Sequence, residues 1–160
     1  MIKHSPDFLK GLFAGFIAIT VNIIALKAAP LFHIMAESGG LLKLVTMQVK
    51  PFAGASTIAF FQTTPFWILF HYLTGFAMIL LYMYLLEPVL PGKAWLSGTL
   101  FSFFPWLING LIVLPILGQG VFGIHKLPLS GMVYFFIANW LFAVLFVYLY
   151  KRFRKKGIGQ

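Results

Sequence analysis

The chain contains no cysteine, and only three of its 160 residues are acidic. The absence of cysteine excludes disulfide bonds, thiolate metal ligands and cysteine nucleophiles. None of the acidic residues falls inside a long apolar run, which disfavours proton-coupled transport through a membrane-embedded carboxylate. Charged residues make up 9% of the chain, against about 25% in an ordinary soluble domain. The chain therefore lacks the polar surface that a water-soluble fold requires.

The residues that are present are mostly apolar: 61% of the chain is hydrophobic and the mean hydropathy is +0.94. Four apolar runs have about the 20 residues that a helix needs to cross a bilayer. They lie near 9–29, 65–86, 94–117 and 129–150. The runs are too long and too uniform for barrel strands. The sequence predicts an all-α integral membrane protein, with residues 1–160 forming one four-helix transmembrane bundle. The first run resembles a signal peptide, but three spans follow it, and we expect it to be retained.

The basic residues predict the orientation of this bundle. Four spans place both termini on one side, which carries eight basic residues against four on the other. The positive-inside rule then predicts cytoplasmic termini in a bacterial inner membrane. Tyr148 and Tyr150 are expected in an interfacial aromatic belt, and the tail beyond them is expected to act as a topology anchor. The anchor consists of Lys151, Arg152, Arg154, Lys155 and Lys156.

The connection between the first two runs is long and carries a pattern of its own. Lys43, Thr46 and Lys50 recur at helical spacing among apolar residues, and Pro51 follows. This pattern predicts an amphipathic helix near 40–50 that lies at the outer membrane interface with its apolar face inward.

Small residues line one side of the first run. Gly11, Gly15 and Ala18 allow a second helix to approach closely. Packing inside one bundle is the favoured interpretation, and a dimer face is the alternative.

Polar residues in the runs cluster at one depth. Asn22, His71, Thr74, Asn109 and Asn139 all fall in the outer half or near the middle of their runs. A shared polar layer is therefore predicted. It serves either as hydrogen bonding between helices or as a ligand pocket. A hydrogen bond from His71 to Asn22 or Asn109 is the structural interpretation of the histidine.

Metal and cofactor sites have weak support. His33, His71, His125 and Glu37 are candidate metal ligands on one side, but no helical pair or metalloprotease spacing joins them. Haem would need two opposed axial ligands, and a quinone would need a polar anchor such as His71. We expect neither group, and no catalytic set is evident.

Three stretches together resemble the YagU-like uncharacterised bacterial inner-membrane proteins. They are "GLFAGFIAITVNIIAL", "HYLTGFAMILLY" and "GTLFSFFPWLINGLIVLPILGQGVFG". The matching residues are Gly11, Gly15, His71, Gly75, Gly98, Trp106, Pro115, Gly118 and Gly123. The resemblance implies a small four-helix fold and an inner-membrane location, with no established reaction. The family pattern carries a further histidine in the last helix, where this chain has Asn139.

Two functions remain open from the sequence. The first is a non-catalytic accessory subunit of a larger membrane complex, with lipids and other membrane proteins as partners. The second is a homo-oligomeric carrier or channel for a small molecule or ion that uses the polar layer. The basic charge flanks apolar runs, so we expect no nucleic acid partner.

Overall fold

The computed structural model describes residues 7–36 and 40–156 and contains helices and turns in those ranges, with no β-strand. The helices are α1 (Phe8–Ala28), α2 (Gly40–Val49), α3 (Ala55–Phe61), α4 (Thr64–Leu81), α5 (Ala94–Ile108) and α6 (Leu129–Lys156). A 3₁₀ turn, Ala29–Phe32, extends α1. A π-helical turn, Tyr82–Leu86, extends α4. A second π turn, Asn109–Val113, and the short helix Leu114–Ile116 extend α5.

Four of these helical stretches are long and apolar enough to cross a membrane. They run over Phe8–Phe32, Thr64–Leu86, Ala94–Ile116 and Leu129–Lys155. The predicted all-helical fold with four long apolar helices is therefore confirmed. The last helix is longer than the predicted 129–150, because the basic tail continues it without a break to Lys156. No glycine or proline interrupts the tail, and lysine and arginine are good helix formers.

The core is built around α6, which packs against both α1 and α5, while α4 packs against α1. Tyr82, at the end of α4, connects to α5: its hydroxyl lies 2.7 Å from Ser97 Oγ and its ring contacts Phe101. We call the half of the bundle near the chain termini the proximal half and the other the distal half. The main core residues are Ala14, Ala18, Ile19, Ile79, Tyr82, Phe101, Phe142, Ala143, Phe146, Val147 and Tyr150.

The small residues of α1 face the inside of this bundle. Gly11 lies against the side chain of Met83, and Gly15 lies against Ile79. Ala18 is fully buried. The glycines of the first helix thus let the α4 segment approach closely within the same chain, and the alternative of a dimer face stays a prediction.

The proximal end is closed by charged and aromatic residues. Arg154 forms a salt bridge with Glu87, and Tyr150 donates a hydrogen bond to Glu87 over 3.5 Å. Lys151 donates to the carbonyl oxygens of Pro91 and Gly92. The expectation that Tyr150 belongs to an interfacial belt is wrong: it is 0% exposed, whereas Tyr148 is 49% exposed. The Tyr150 ring packs in the core beside Phe146, and its hydroxyl points toward Glu87.

Arg152 and Lys155 are the exposed members of the described tail. Lys151 and Arg154 are bonded to the loop after α4, so the tail also fastens α6 to that loop. The side chain of Lys156 lies outside what the structure describes.

Candidate functional site

A cavity of about 120 Å³ lies in the distal half, between the four long helices. The five polar residues predicted to share a layer all line it. Asn22 comes from α1, His71 and Thr74 from α4, Asn109 from the π turn after α5, and Asn139 from α6. Most of the remaining wall is apolar, as in most small-molecule sites. The other lining residues are Ile19, Leu26, Gly40, Leu41, Leu42, Trp67, Phe70, Gly75, Met78, Pro105, Phe135 and Phe142.

His71 and Asn22 connect three helices at this level. His71 Nε2 lies 2.8 Å from Asn22 Oδ1. Asn22 Nδ2 donates to the carbonyl oxygen of Ala138 on α6, also over 2.8 Å. Because the amide nitrogen is used on Ala138, the amide oxygen accepts from His71, which places the imidazole proton on Nε2 and leaves Nδ1 as an acceptor. Asn22 is one of the two partners that the sequence predicted for His71.

The other two asparagines do not tie helices together. Asn109 Nδ2 donates to Pro105 and Asn139 Nδ2 donates to Phe135, each four residues earlier on its own chain segment. The expectation of hydrogen bonding between helices therefore holds for Asn22 but is wrong for these two. No donor in the described part of the chain bonds the amide oxygen of either residue, so each keeps its accepting capacity beside the cavity. Thr74 likewise donates to backbone oxygens within α4.

Trp67 is a cavity residue that the sequence reasoning missed. Its indole stacks on His71, with 5.0 Å between ring centroids, and Lys27 Nζ lies 4.4 Å from the indole centroid. Its Nε1–H donor is buried and has no hydrogen-bond partner among the described residues. The signal was its position four residues before His71, which places both rings on one helix face.

Helix α2 covers the distal side of the cavity. Gly40 and Leu42 are buried, and an added Cβ on Gly40 would lie 3.5 Å from Asn109 Oδ1 and from Val113. Part of the apolar face of α2 therefore packs on the protein. Lys43 and Lys50 are exposed, as the amphipathic pattern predicts. The next short helix, α3, has no buried residue.

The second half of α5 is irregular beside the cavity. Pro105 lies inside the helix, and the π turn begins at Asn109. Such π turns are frequent at functional sites, because they widen the helix and redirect side chains. Gly110 in this turn leaves room for the ring of Phe122, which stacks on Trp106 with 4.4 Å between centroids. Asn109, the first residue of this turn, lines the cavity, and Phe122 of the distal loop packs against Gly110.

The candidate metal ligands are not gathered around one point. His71 lines the central cavity, whereas His33 lines a separate distal recess. The ring of His125 lies against Gly120, and Glu37 falls outside the described residues. No group of three His, Asp or Glu side chains within the described ranges is placed to hold a metal ion.

No family model, curated protein or solved structure matches the chain. The resemblance to the YagU-like proteins therefore stays a prediction. The site's own chemistry consists of one imidazole, three amides, one hydroxyl and one indole around an apolar space. These groups can orient a small molecule by hydrogen bonds.

Proposed function

We propose that this chain is a membrane protein that binds a small, mostly apolar molecule in its central cavity, as a carrier or receptor without catalytic chemistry. The observation that carries the proposal is the meeting of polar side chains from four chain segments around one apolar space. The buried Trp67 N–H, which has no hydrogen-bond partner within the described ranges, adds to it, since buried donors are nearly always satisfied by protein, water or ligand.

The cavity limits the size of the ligand. An engineered apolar cavity of about 150 Å³ holds benzene, so about 120 Å³ suits one ring or a group of similar size. The ligand should carry a hydrogen-bond acceptor for the Trp67 N–H and a hydrogen-bond donor for the amide oxygen of Asn109 or Asn139. A ring that carries a carbonyl and a hydroxyl or amine satisfies both. Because the cavity lies within one chain, binding needs no oligomer.

The membrane location and the orientation of the chain belong to the same proposal. Both termini face the cytoplasm of a bacterial inner membrane, which the eight-to-four division of basic residues supports. Helix α2 lies at the outer interface, with Gly40 and Leu42 on the protein and the exposed Lys43 and Lys50 toward headgroups and water.

A cavity-filling pair of variants tests the binding. Thr74→Phe places a ring in the cavity, and Ala77→Phe places the same ring on the exposed side of the same helix. The probes are toluene, benzaldehyde and p-cresol, measured by saturation-transfer NMR on detergent-solubilised protein. We expect Thr74→Phe to abolish binding of all three and Ala77→Phe to leave it unchanged. Equal signals from both variants would show that the probes partition into detergent or bind elsewhere, and the proposal would fail.

A second candidate, the accessory subunit of a larger membrane complex, is favoured by the exposure of α4. In the most apolar stretch of α4, 17% of the residues are buried, against 33–39% in the corresponding stretches of the other three long helices. Exposed apolar residues along it include Ile68, Leu69, Leu73 and Leu85. A partner helix on this face would be retained during purification in mild detergent. Loss of that partner on Leu73→Trp, with cavity binding intact, would favour the subunit role.

A further inference from the structure

A second recess, of about 750 Å³, opens at the distal end of the bundle and is separate from the polar layer of the cavity. Leu26 lines both spaces, and Ala29 continues the recess wall at the end of the first span. Lys43 from α2 and Lys126 from the loop before α6 bring positive charge to it. The recess therefore lies where membrane spans end, at the depth of lipid headgroups.

The distal side of the protein, where the recess opens, has more basic than acidic residues. Asp7 and Glu87 belong to the proximal end, so Glu37 is the one carboxylate in the sequence that the distal side can contribute. The distal side carries four lysines in total. Neither ion pair within the described residues involves Lys126. An anionic group is the chemistry that this surface attracts.

Gln119 supplies an independent sign of a ligand. Its side chain is 7% exposed and lines the recess, and its Oε1 is buried without a hydrogen-bond partner within the described ranges. The loop holds it there because Gly118 and Gly120 adopt positive φ angles of 71° and 77° on either side. A buried acceptor of this kind calls for an N–H or O–H donor.

We propose that the distal recess binds a phosphodiester headgroup that also carries a hydrogen-bond donor. The phosphate pairs with Lys126, and an ammonium or hydroxyl group donates to Gln119 Oε1. Phosphoethanolamine and phosphoglycerol headgroups have both features. Phosphocholine has the phosphate but no donor, so it leaves Gln119 unpaired. This site does not depend on the ligand proposed for the central cavity.

Lipid binding is measured by native mass spectrometry of the full chain in detergent, with dioleoyl phosphatidylethanolamine and dioleoyl phosphatidylcholine as matched probes. We expect phosphatidylethanolamine to bind more tightly than phosphatidylcholine. Lys126→Gln should weaken both about fivefold, the effect of one lysine near a headgroup. Gln119→Leu should remove the preference between the two lipids. Lys50→Gln, an exposed lysine outside the recess, is the control and should change nothing.

The soluble headgroup glycerophosphoethanolamine distinguishes a membrane lipid from a free phosphodiester as the ligand of the recess. Binding of the intact lipid alone assigns the site to a membrane lipid, and equal binding of the soluble compound assigns it to a free phosphodiester; both outcomes support the recess. Equal affinity of the unmodified chain for the two lipids, or unchanged affinity in Lys126→Gln, would overturn the proposal. Thr74→Phe fills the central cavity and should leave lipid binding intact. A failure of the cavity proposal can therefore be told apart from a failure of the recess proposal.

Discussion

His71 on α4 and Asn22 on α1 are joined by a hydrogen bond of 2.8 Å between Nε2 and Oδ1, inside an apolar bundle. Lipid offers no alternative partner, so each group depends on the other. The bond has a structural consequence that can be separated from any role in binding.

Replacing His71 with leucine should lower the free energy of unfolding by about 1–3 kcal/mol, because the buried amide oxygen of Asn22 loses its donor. His71→Gln should recover part of the loss, since its amide nitrogen can reach the same oxygen. Unfolding by sodium dodecyl sulfate in mixed micelles measures both variants. His125→Leu, at an exposed loop position, is the control. A His71→Leu variant as stable as the unmodified chain would contradict the role of the bond.

Trp67→Phe should separate binding from stability. Phenylalanine keeps an aromatic ring against His71 but removes the buried Nε1–H that has no described partner. Stability should therefore change little. Binding of benzaldehyde should weaken about fivefold, the value of one hydrogen bond, while binding of toluene stays the same. Saturation-transfer NMR compares the two probes, and a parallel loss of both would show that the indole only shapes the wall.

Gly98→Ala should be strongly destabilising, by about 1–3 kcal/mol. An added Cβ would lie 2.6 Å from Val144 Cα and 3.1 Å from the oxygen of Ala143, and a backbone cannot move aside as a side chain can. Gly92→Ala, where nothing lies within 4 Å of the added atom, is the matched control and should be neutral or slightly stabilising. Thermal unfolding in detergent distinguishes them, and equal melting temperatures would mean that α5 and α6 are farther apart than described.

Breaking the Glu87–Arg154 pair should loosen the proximal end. Both partners are about four-fifths buried, at 19% and 22% side-chain exposure, so Glu87→Gln should cost about 1–3 kcal/mol by leaving a charge poorly paired. The exposed pair Lys10–Asp7 is the control, and Asp7→Asn should cost below about 0.5 kcal/mol. Chemical unfolding measures both. Proteolysis after Arg152 should also accelerate in Glu87→Gln; unchanged rates would show that the tail is held by other contacts.

The predicted orientation can be tested directly because the chain has no native cysteine. Single cysteines at Lys50 and Lys155, both exposed, report the two sides. A membrane-impermeant maleimide applied to intact bacterial cells, after outer-membrane permeabilisation, should label position 50. Position 155 should react only after lysis. Labelling of both positions in intact cells would refute the arrangement of four spans.

The sequence predicted the cavity residues better than it predicted the inward-facing aromatics. Asn22, His71 and Asn139 could be placed by depth, because a polar group in an apolar run has few acceptable positions. Trp67 could be placed only through its four-residue spacing from His71, and Tyr150 could not be placed in the same way. The helices are apolar on all sides, so the period of the pattern does not reveal which aromatic ring faces the bundle. The contacts of the buried Tyr150 include Glu87, a residue 63 positions away in the sequence.

The π turn at Asn109 was also beyond sequence reasoning. Pro105 predicted a disturbance in α5. It did not predict that Phe122 of the distal loop would pack against Gly110 in the turn with a left-handed φ of 53°. Nothing in the local pattern requires a phenylalanine to adopt that conformation. It is explained by the stacking of its ring on Trp106, a contact that exists only once the helices have packed.

Tyr82 and the central cavity lie toward opposite ends of α4. The hydrogen bond between Tyr82 and Ser97 joins the end of α4 to the start of α5, whereas His71 and Asn109 line the cavity toward the other ends of the same two helices. A contact outside the cavity therefore contributes to the registration of two of the helices that line it.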